Sequence, residues 1–372
     1  MKIAVISFYE AFPPVCGAAS VSYNTAKYFP GEKYLIQLSN ERGRDLLEND
    51  TTLINLPCSF DNPLKKIVDL LLRSRELIKH LRKISPEIIV LEGAAWTLYY
   101  LAYFYLIRIS GFESKIIYHA HNVEYLLRKE KNSRIIALIT KWAEARLAAR
   151  VDLFTAVSNE DAKKFRVLYG ITPSIFPNGV DVEQFEKVTD KQINHIKSKY
   201  GLTRNLILFM GLSSFTPNTE GIDSLVSEIF PSVVRTDLDA RLVIIGGVVS
   251  YKRKWLINPG VIPFEELPAF IKACDVCVAP ILSGSGTRLK ILEYMAAGKP
   301  VVSTTKGAEG LLIRNRENII IADEPRTFAE GILFLLKTPG SAEKLGSEGK
   351  KMVRANYSWQ KIIDDFQEII PL

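Results

Sequence analysis

The sequence predicts an α/β protein built from two doubly wound domains that face each other across a cleft. First, 372 residues suit two domains that each bury a core of their own. Second, strand-like and helix-like segments alternate from end to end, as in parallel sheets covered by helices. Third, the alternation is interrupted once, by the turn-rich stretch "FPNGVDVEQF" (Phe176 to Phe185), and then restarts. We therefore predict domains at 1–182 and 183–357.

Short apolar runs predict the strands, and apolar residues spaced by three and four predict the helices. In the first domain we expect strands near 2–8, 34–38, 52–56, 87–92, 115–119 and 152–157, with helices near 63–84, 95–109, 124–150 and 158–169. In the second we expect strands near 205–210, 241–246, 275–279, 300–303 and 318–322, with helices near 219–235, 265–273, 287–297, 325–337 and 341–355. Ligands of such sheets bind beyond the carboxyl ends of the strands.

Composition and charge limit the function classes. Residues 1–180 carry 24 Lys and Arg against 18 Asp and Glu, whereas the remainder is nearly neutral. A basic first half suits anionic lipid headgroups or a phosphorylated substrate, or it is simply a solvated surface. Nucleic acid is the weakest candidate and is not expected as a partner, because no basic motif with interleaved aromatic residues and no zinc finger occurs.

Apolar runs and cysteines indicate a cytoplasmic protein. The chain opens directly on a strand pattern rather than a signal peptide, and four scattered cysteines make no disulfide framework. Cys274 and Cys277 fit small buried hydrophobes, because Cys277 lies inside an apolar strand. The longest apolar run, Ala94 to Ile109, is shorter than the roughly 20 residues of a bilayer span, so we predict a buried helix. Peripheral contact with the inner face of the membrane is the alternative.

The stretch "GSGTRLK" (Gly284 to Lys290) joins a predicted strand to a predicted helix. Its glycines allow a tight turn and close approach of a ligand, and Thr287 can cap the helix. Arg288 and Lys290 are unfavourable at a helix N-terminus unless an anion compensates them. Together with the free N–H groups they predict a phosphate or diphosphate site. Ion pairing of both cations with distant acids is the alternative.

Glu293 lies one turn further along this helix, inside the apolar arc that also holds Leu289 and Leu292. A carboxylate there needs hydrogen-bond donors, and both hydroxyls of a ribose would supply them. An ion pair with Lys290 is the alternative. The glycines form neither a P-loop nor a dinucleotide fingerprint, because the required Gly-Lys-Ser/Thr and G-x-G-x-x-G patterns are absent.

His119 and His121 follow a predicted strand at the edge where such sheets place their ligands. His121 is the candidate active-site residue, and His119 is expected to be its neighbour. The two histidines could instead be metal ligands, but no Cys, Asp or His cluster stands out to complete a site. We therefore expect no metal.

Seven segments, in this order along the chain, resemble family 4 glycosyltransferases, which have the GT-B fold of two Rossmann-like domains. They are "PPVCGAAS", "AHNVEYLLR", "VDLFTAVSNED", "FPNGVDVEQF", "FMGLSSFTPNTEGI", "ACDVCVAP" and "GSGTRLKILEYMAAGKPVVSTTKGAEGL". The last is similar to a subgroup with a Gly-Ser-Gly-Thr-Arg-x-Lys pattern. The resemblance implies that the final helix, 358–372, crosses back to the first domain. It also implies a metal-independent hexosyltransferase that retains anomeric configuration.

The resemblance assigns roles to individual residues. Glu293 matches the second glutamate of the E-x7-E motif, which holds the donor ribose. The backbone of the segment Gly284, Ser285, Gly286, Thr287 and Leu289 would cradle the diphosphate. Gly17 would approach the donor phosphate and the acceptor, and His121 would contact the transferred sugar. Arg288 and Lys290 would replace an Arg and a Lys that the family places in the loop matching residues 211–218.

Ser285 stands where the family has the first glutamate of the motif, which leaves the hexose open. The expected function is transfer of a hexose from a UDP- or GDP-sugar to a glycan or lipid-linked acceptor in polysaccharide or glycolipid biosynthesis. No cofactor beyond the donor substrate is expected. The alternatives are a non-catalytic nucleotide-sugar-binding protein and a GT-B nucleotide-sugar epimerase.

Overall fold

The computed structural model describes residues 1–40, 43–58, 63–93, 97–130, 134–284 and 287–370. Contacts divide the chain into two compact units. Unit 1 comprises Met1–Asn178 and Ile362–Leu372, and unit 2 comprises Gly179–Lys361.

An eight-stranded sheet forms the centre of unit 1. Its strands are β1 (Lys2–Ser7), β2 (Glu32–Ser39), β3 (Gly43–Leu46), β4 (Thr51–Pro57), β5 (Ile88–Gly93), β6 (Lys115–Ala120), β7 (Leu153–Ala156) and β8 (Ser174–Ile175). The strand order is β3-β4-β2-β1-β5-β6-β7-β8, and β3 alone pairs antiparallel. The central β1 places Ile3 beside Lys33 of β2 and Ile88 of β5. The central strands β1 and β5 are largely apolar and buried because helices cover both faces of the sheet.

Six helices of unit 1 connect these strands. They are α1 (Gly17–Tyr28), α2 (Pro63–Ile84), α3 (Thr97–Ile109), α4 (Glu124–Glu130), α5 (Arg134–Ala148) and α6 (Asn159–Tyr169). The apolar run expected to be a buried helix is α3, which buries Tyr100, Phe104 and Ile107 in the core of the unit. Of the apolar residues that predict α2, Ile78 and Leu81 are buried in the same core. The side chains of residues 63–68, 70 and 71, which include the other apolar residues of this pattern, lie outside the described residues.

Unit 2 contains a six-stranded sheet in which every pairing is parallel. Its strands are β9 (Leu206–Met210), β10 (Arg241–Ile245), β11 (Leu256–Gly260), β12 (Val276–Ala279), β13 (Val301–Ser303) and β14 (Ile320–Ile321). The order is β11-β10-β9-β12-β13-β14. Its helices are α7 (Val182–Glu186), α8 (Asp190–Tyr200), α9 (Thr216–Ser224), α10 (Phe230–Thr236), α11 (Leu267–Ala273), α12 (Leu289–Ala296), α13 (Pro325–Lys337) and α14 (Pro339–Tyr357). A π-helical turn, Leu225–Ile229, joins α9 to α10.

The final helix, α15 (Trp359–Gln367), begins in unit 2 and ends in unit 1. Trp359 is buried at its start. Near its end, the Phe366 ring stacks on Phe176, with centroids 4.0 Å apart, and meets the edge of Phe29 at 6.2 Å. These three rings fix the last segment of the chain onto unit 1.

Several elements differ from the sequence prediction. The single helix expected at 124–150 is two helices, α4 and α5, and α1, α7 and α8 were not predicted. The α1 segment "GAASVSYNTAKY" is rich in small and polar residues, so its apolar period is weak. Strands β3, β8 and β11 were also missed, because they are short, polar or interrupted by Pro and Gly.

Each sheet has a point at which the chain changes its direction of winding. In unit 1 this point lies between β1 and β5, and in unit 2 it lies between β9 and β12. Ligands of doubly wound sheets bind beyond the carboxyl ends of the strands at such a point. The loops after β1, β5, β9 and β12 are therefore where the candidate sites belong.

Candidate active site

The glycine-containing loop after β12 ends at the short helix α12. Its N-cap is Arg288, whose side chain makes no capping hydrogen bond, and no acidic residue occupies the first turn. The prediction that Thr287 caps the helix is wrong, because α12 begins two residues later than expected and Thr287 is buried one position before the cap. With neither a side-chain cap nor an acid, the helix end can bind an anion.

Gly284 has a backbone conformation in this loop that only glycine adopts readily. Its φ of +88° lies in the left-handed region, and an added Cβ would be 3.1 Å from Nη2 of Arg288. Two other predicted donor-binding residues, Ser285 and Gly286, lie outside the described residues. The predicted contact of Leu289 would come from its backbone, since it is the first residue of α12.

Arg288 folds back over the loop from which it emerges. Its Nη2 donates to the carbonyl oxygen of Ser283 at 2.9 Å, and the Ser283 hydroxyl in turn lies 2.5 Å from Glu220 Oε2. A backbone carbonyl is a neutral acceptor, so this hydrogen bond does not itself neutralise the guanidinium charge. The positive charge is thereby held beside the N-terminus of α12.

Lys290 points from α12 toward the elements that follow β9. Its Nζ donates to Oδ1 of Asn218 at 2.8 Å and lies 4.3 Å from the centre of the Phe209 ring. Burial and the nearby Arg288 charge lower the pKa of Lys290 to about 7, although Glu293 opposes the shift. Lys290 thus reaches from α12 to Asn218 in the first turn of α9, and its replacement of a cation of loop 211–218 stays a prediction.

Glu293 follows Lys290 on the same helix and is half-buried. Burial raises the pKa of Glu293 to about 7, partly offset by the Lys290 charge. Within the described part of the chain its carboxylate accepts no hydrogen bond and forms no ion pair with Lys290. The structure therefore contradicts the alternative that Glu293 forms an ion pair with Lys290. A carboxylate in this state can accept hydrogen bonds from ligand hydroxyls.

In unit 1, a buried glutamate joins the two histidines of the H-x-H motif. Oε2 of Glu92, in β5, lies 3.1 Å from Nδ1 of His119 and 2.5 Å from Nε2 of His121. Nε2 of His119 donates to the carbonyl oxygen of Phe176 at 3.1 Å. Burial raises the pKa of Glu92, but the charge and hydrogen bonds of the two histidines outweigh it and lower that pKa to about 2. Burial lowers the pKa of His121.

Glu92 was not among the residues predicted from the sequence. One feature of the sequence does point to it: Glu92 is an acidic residue at the end of the apolar strand "IIVLEG". Burying a carboxylate there costs free energy unless it has a hydrogen-bond or charged partner. Glu92, His119 and His121 also offer ligand atoms within 4.8 Å of one another, so these residues could hold a metal ion. The reason given against a metal, that nothing completes the H-x-H pair, is therefore wrong, because Glu92 on the neighbouring strand completes it.

Gly17 is the first residue of α1, in the loop region that follows β1. The N-cap of α1, Cys16, forms no side-chain capping bond, and the first turn holds no acidic residue. The Tyr9 hydroxyl lies 2.6 Å from the hydroxyl of Ser22 and donates to the carbonyl oxygen of Ala18, which fixes this first turn. Gly17 and His121 thus follow β1 and β6 at the same edge of the unit 1 sheet.

Comparisons with known proteins identify the family and support the fold. The sequence family Glycosyltransferase Family 4 matches residues 15–184, and the family Glycosyl transferases group 1 matches residues 204–338. The chain belongs to the family 4 and group 1 glycosyltransferases. The first match covers most of unit 1 and the second covers most of unit 2, and the two α/β units have the GT-B fold of this family.

Two characterised relatives of this glycosyltransferase act on lipids, according to their names. One is the Corynebacterium glutamicum GDP-mannose-dependent monoacylated alpha-(1-6)-phosphatidylinositol monomannoside mannosyltransferase, 25% identical over 58% of this chain and 61% of its own. The other is the Escherichia coli UDP-Gal:alpha-D-GlcNAc-diphosphoundecaprenol alpha-1,3-galactosyltransferase, 24% identical over 83% of this chain and 81% of its own. Matches to the first four relatives span only 31% to 61% of those proteins.

Solved structures share the fold at low sequence identity. Sucrose-phosphate synthase from Thermosynechococcus elongatus superimposes with a TM-score of 0.80 at 15% identity, covering 99% of this chain and 98% of its own. Anabaena HepE in complex with UDP gives a TM-score of 0.72 at 16% identity, covering 99% of both chains. Among the helices of the described residues, none combines the length and apolar character needed to cross a bilayer.

Proposed function

We propose that this glycosyltransferase moves a hexose from a UDP- or GDP-linked donor to a hydroxyl of a glycan or lipid-linked acceptor, with retention of configuration. One observation carries the proposal. The uncapped N-terminus of α12 presents Arg288, Lys290 and Glu293 within two turns, at the point where the unit 2 sheet changes direction. Two cations and a carboxylate in this order suit a diphosphate followed by a ribose.

In the proposed reaction, the charge that develops on the leaving diphosphate is stabilised by unit 2. The N–H groups at the start of α12, the Arg288 guanidinium and the Lys290 ammonium form a set of preorganised donors for that charge. Glu293 accepts hydrogen bonds from the ribose hydroxyls and orients the nucleoside. No metal takes part in this scheme.

In the proposed reaction, the side chain that contacts the transferred sugar comes from unit 1. Glu92 and its neighbour His119 hold the imidazole of His121, so that His121 contacts the sugar or the reacting oxygens. Gly17, at the uncapped start of α1, lets the backbone approach the donor phosphate and the acceptor closely.

The relatives support a lipid-linked acceptor and leave the base of the donor open. One relative is named for GDP-mannose and another for UDP-Gal, and the names of both describe lipid acceptors. HepE has been solved in complex with UDP and with UDP-glucose. We therefore propose action on the cytoplasmic side, with peripheral membrane contact through the basic first half of the chain.

Calorimetric titration with UDP, GDP and ADP, without added metal, tests the proposal. Wild type should bind one of the three, Glu293→Ala should lose that binding, and Glu343→Ala, an exposed glutamate on α14, should keep it. Absence of binding of all three at millimolar concentration would overturn the phosphate role of Arg288 and Lys290. Binding without turnover on any acceptor extract would instead favour a non-catalytic nucleotide-sugar-binding protein, and an epimerised donor would favour an epimerase.

A further inference from the structure

We propose that the outer face of helix α5 docks onto an anionic lipid bilayer. This face consists of Ile135, Leu138, Ile139 and Trp142, which are 75%, 63%, 45% and 54% exposed. Their spacing of three, four and seven residues places all four on one side of the first two turns. Adjacent large apolar side chains on an otherwise polar surface mark an interaction site.

The opposite side of α5 is firmly packed, so the exposed face is a stable feature of unit 1. Ala137, Ala143 and Leu147 are buried, the last two in the main core of the unit. Glu144 is also fully buried, and its carboxylate accepts hydrogen bonds from the Tyr169 hydroxyl at 2.5 Å and from the backbone of Glu124 at 2.9 Å. The helix therefore cannot rotate its apolar side inward without breaking these contacts.

The charges around the apolar face select an anionic partner. Between residues 134 and 150 the chain carries Arg134, Lys141, Arg146 and Arg150, and its single acid is the buried Glu144. The three arginines are exposed, and none forms an ion pair with another described residue. An apolar stripe with basic flanks and a tryptophan is the pattern of a helix that lies in the interface of an anionic membrane.

A second copy of the chain suits the outer face of α5 less well than a lipid bilayer does. Pairing two such faces would bring the arginines of both copies together, and the outer side of α5 offers no acid to compensate them. Like charges brought together at an interface oppose association. A lipid surface instead supplies phosphates for the arginines and acyl chains for the isoleucine, leucine and tryptophan side chains.

The docking face is joined directly to the segment that carries the candidate active-site histidine. Glu124, whose N–H binds Glu144 of α5, is three residues after His121, and Nζ of Lys141 lies 5.2 Å from the centre of the Tyr125 ring. The inference gives the membrane contact of the proposed function a defined surface, and it rests on that function only for the lipid-linked acceptor. A bilayer under α5 would hold such an acceptor beside the edge of the sheet that bears His121.

Vesicle co-sedimentation tests the inference without any turnover. Wild type should sediment with vesicles of phosphatidylcholine and phosphatidylglycerol, less so at high salt, and only weakly with phosphatidylcholine alone. The double variant Leu138→Gln/Trp142→Gln should bind at least about tenfold more weakly. The control Ile109→Gln/Val167→Gln, which changes two more exposed apolar residues of unit 1, should bind as wild type does.

Three outcomes would overturn the inference. They are wild-type binding that is absent or equal for both lipid mixtures, a double variant that binds like wild type, and a wild-type dimer in sedimentation velocity that the double variant abolishes. Circular dichroism melting establishes that both variants fold. Nucleotide titration of the same samples reports on unit 2, so failure of the donor site and failure of the docking face give different results.

Discussion

The ammonium of Lys290 lies 2.8 Å from the side-chain oxygen of Asn218 and directly over the ring of Phe209. The contact joins α12, which follows β12, to the first turn of α9, which follows β9. Asn218 is itself held by a 3.0 Å hydrogen bond from its Nδ2 to the carbonyl oxygen of Leu212. The amine of Lys290 is therefore held in a fixed position at the switch point of the unit 2 sheet.

Replacing Lys290 with Met should weaken nucleoside diphosphate binding by about tenfold to hundredfold, because a hydrogen bond to a charged group contributes about 1.5–3 kcal/mol. Isothermal titration calorimetry at pH 7 measures the change. Lys344→Met, which removes an exposed lysine of α14, is the matched control and should bind as wild type does. Equal affinities of Lys290→Met and wild type would exclude Lys290 from the diphosphate site.

The affinity for the same nucleotide should fall as the pH rises from 7 to 9. The pKa of Lys290 is lowered to about 7, chiefly by burial, so above pH 7 the free protein must take up a proton before this lysine can bind a diphosphate. The expected slope is up to about tenfold per pH unit. Calorimetry at three pH values should show this slope for wild type and a flatter one for Lys290→Met. A flat wild-type profile contradicts the assignment.

Glu92→Gln should lower kcat by about tenfold to hundredfold while leaving nucleotide affinity unchanged. The amide of Gln keeps the shape of the carboxylate, but it has no charged oxygen that could accept hydrogen bonds from both His119 and His121. The imidazole of His121 therefore loses its fixed orientation. Steady-state kinetics separate kcat from KM, and calorimetry reports on donor binding. Glu113→Gln, an exposed acid elsewhere in unit 1, is the control. A variant with wild-type kcat would remove Glu92 from the site.

Excess EDTA should leave both nucleotide binding and turnover unchanged. The donor site proposed here uses a helix N-terminus and two cations, and Glu92 is already hydrogen-bonded to both histidines. Turnover is compared before and after dialysis against the chelator. Loss of activity that Zn²⁺ or Mn²⁺ restores would instead assign Glu92, His119 and His121 to a metal.

Phe366→Ala should destabilise the protein by about 3 kcal/mol, because it removes a buried ring stacked on Phe176 and in edge contact with Phe29. Urea unfolding followed by circular dichroism gives the midpoint for the variant. Phe334→Ala, at a half-exposed ring of α13, is the control and should cost less than about 1 kcal/mol. Similar losses in both variants would mean that the three-ring contact adds little.

Most of the strands and the proposed anion-binding motif can be predicted from the sequence, because their signals are local. Buried parallel strands are continuous apolar runs, and the glycine-containing turn with Arg288 and Lys290 is readable within seven residues. Glu92 could not be assigned in this way, since its partners are 27 and 29 residues away and meet it only through the pairing of β5 with β6. Asn218 is 72 residues from Lys290 and was missed for the same reason.

The contact of Phe366 with Phe29 and Phe176 has a consequence for biosynthesis. Unit 1 takes residues from both before and after unit 2 in the chain, so translation interrupts it. While the ribosome makes residues 179–361, Phe366 of α15 is not yet available to pack against the rings of Phe29 and Phe176. This contact can form only after residues 362–370 emerge. The unit that starts first is thus completed last, after unit 2 has had time to fold.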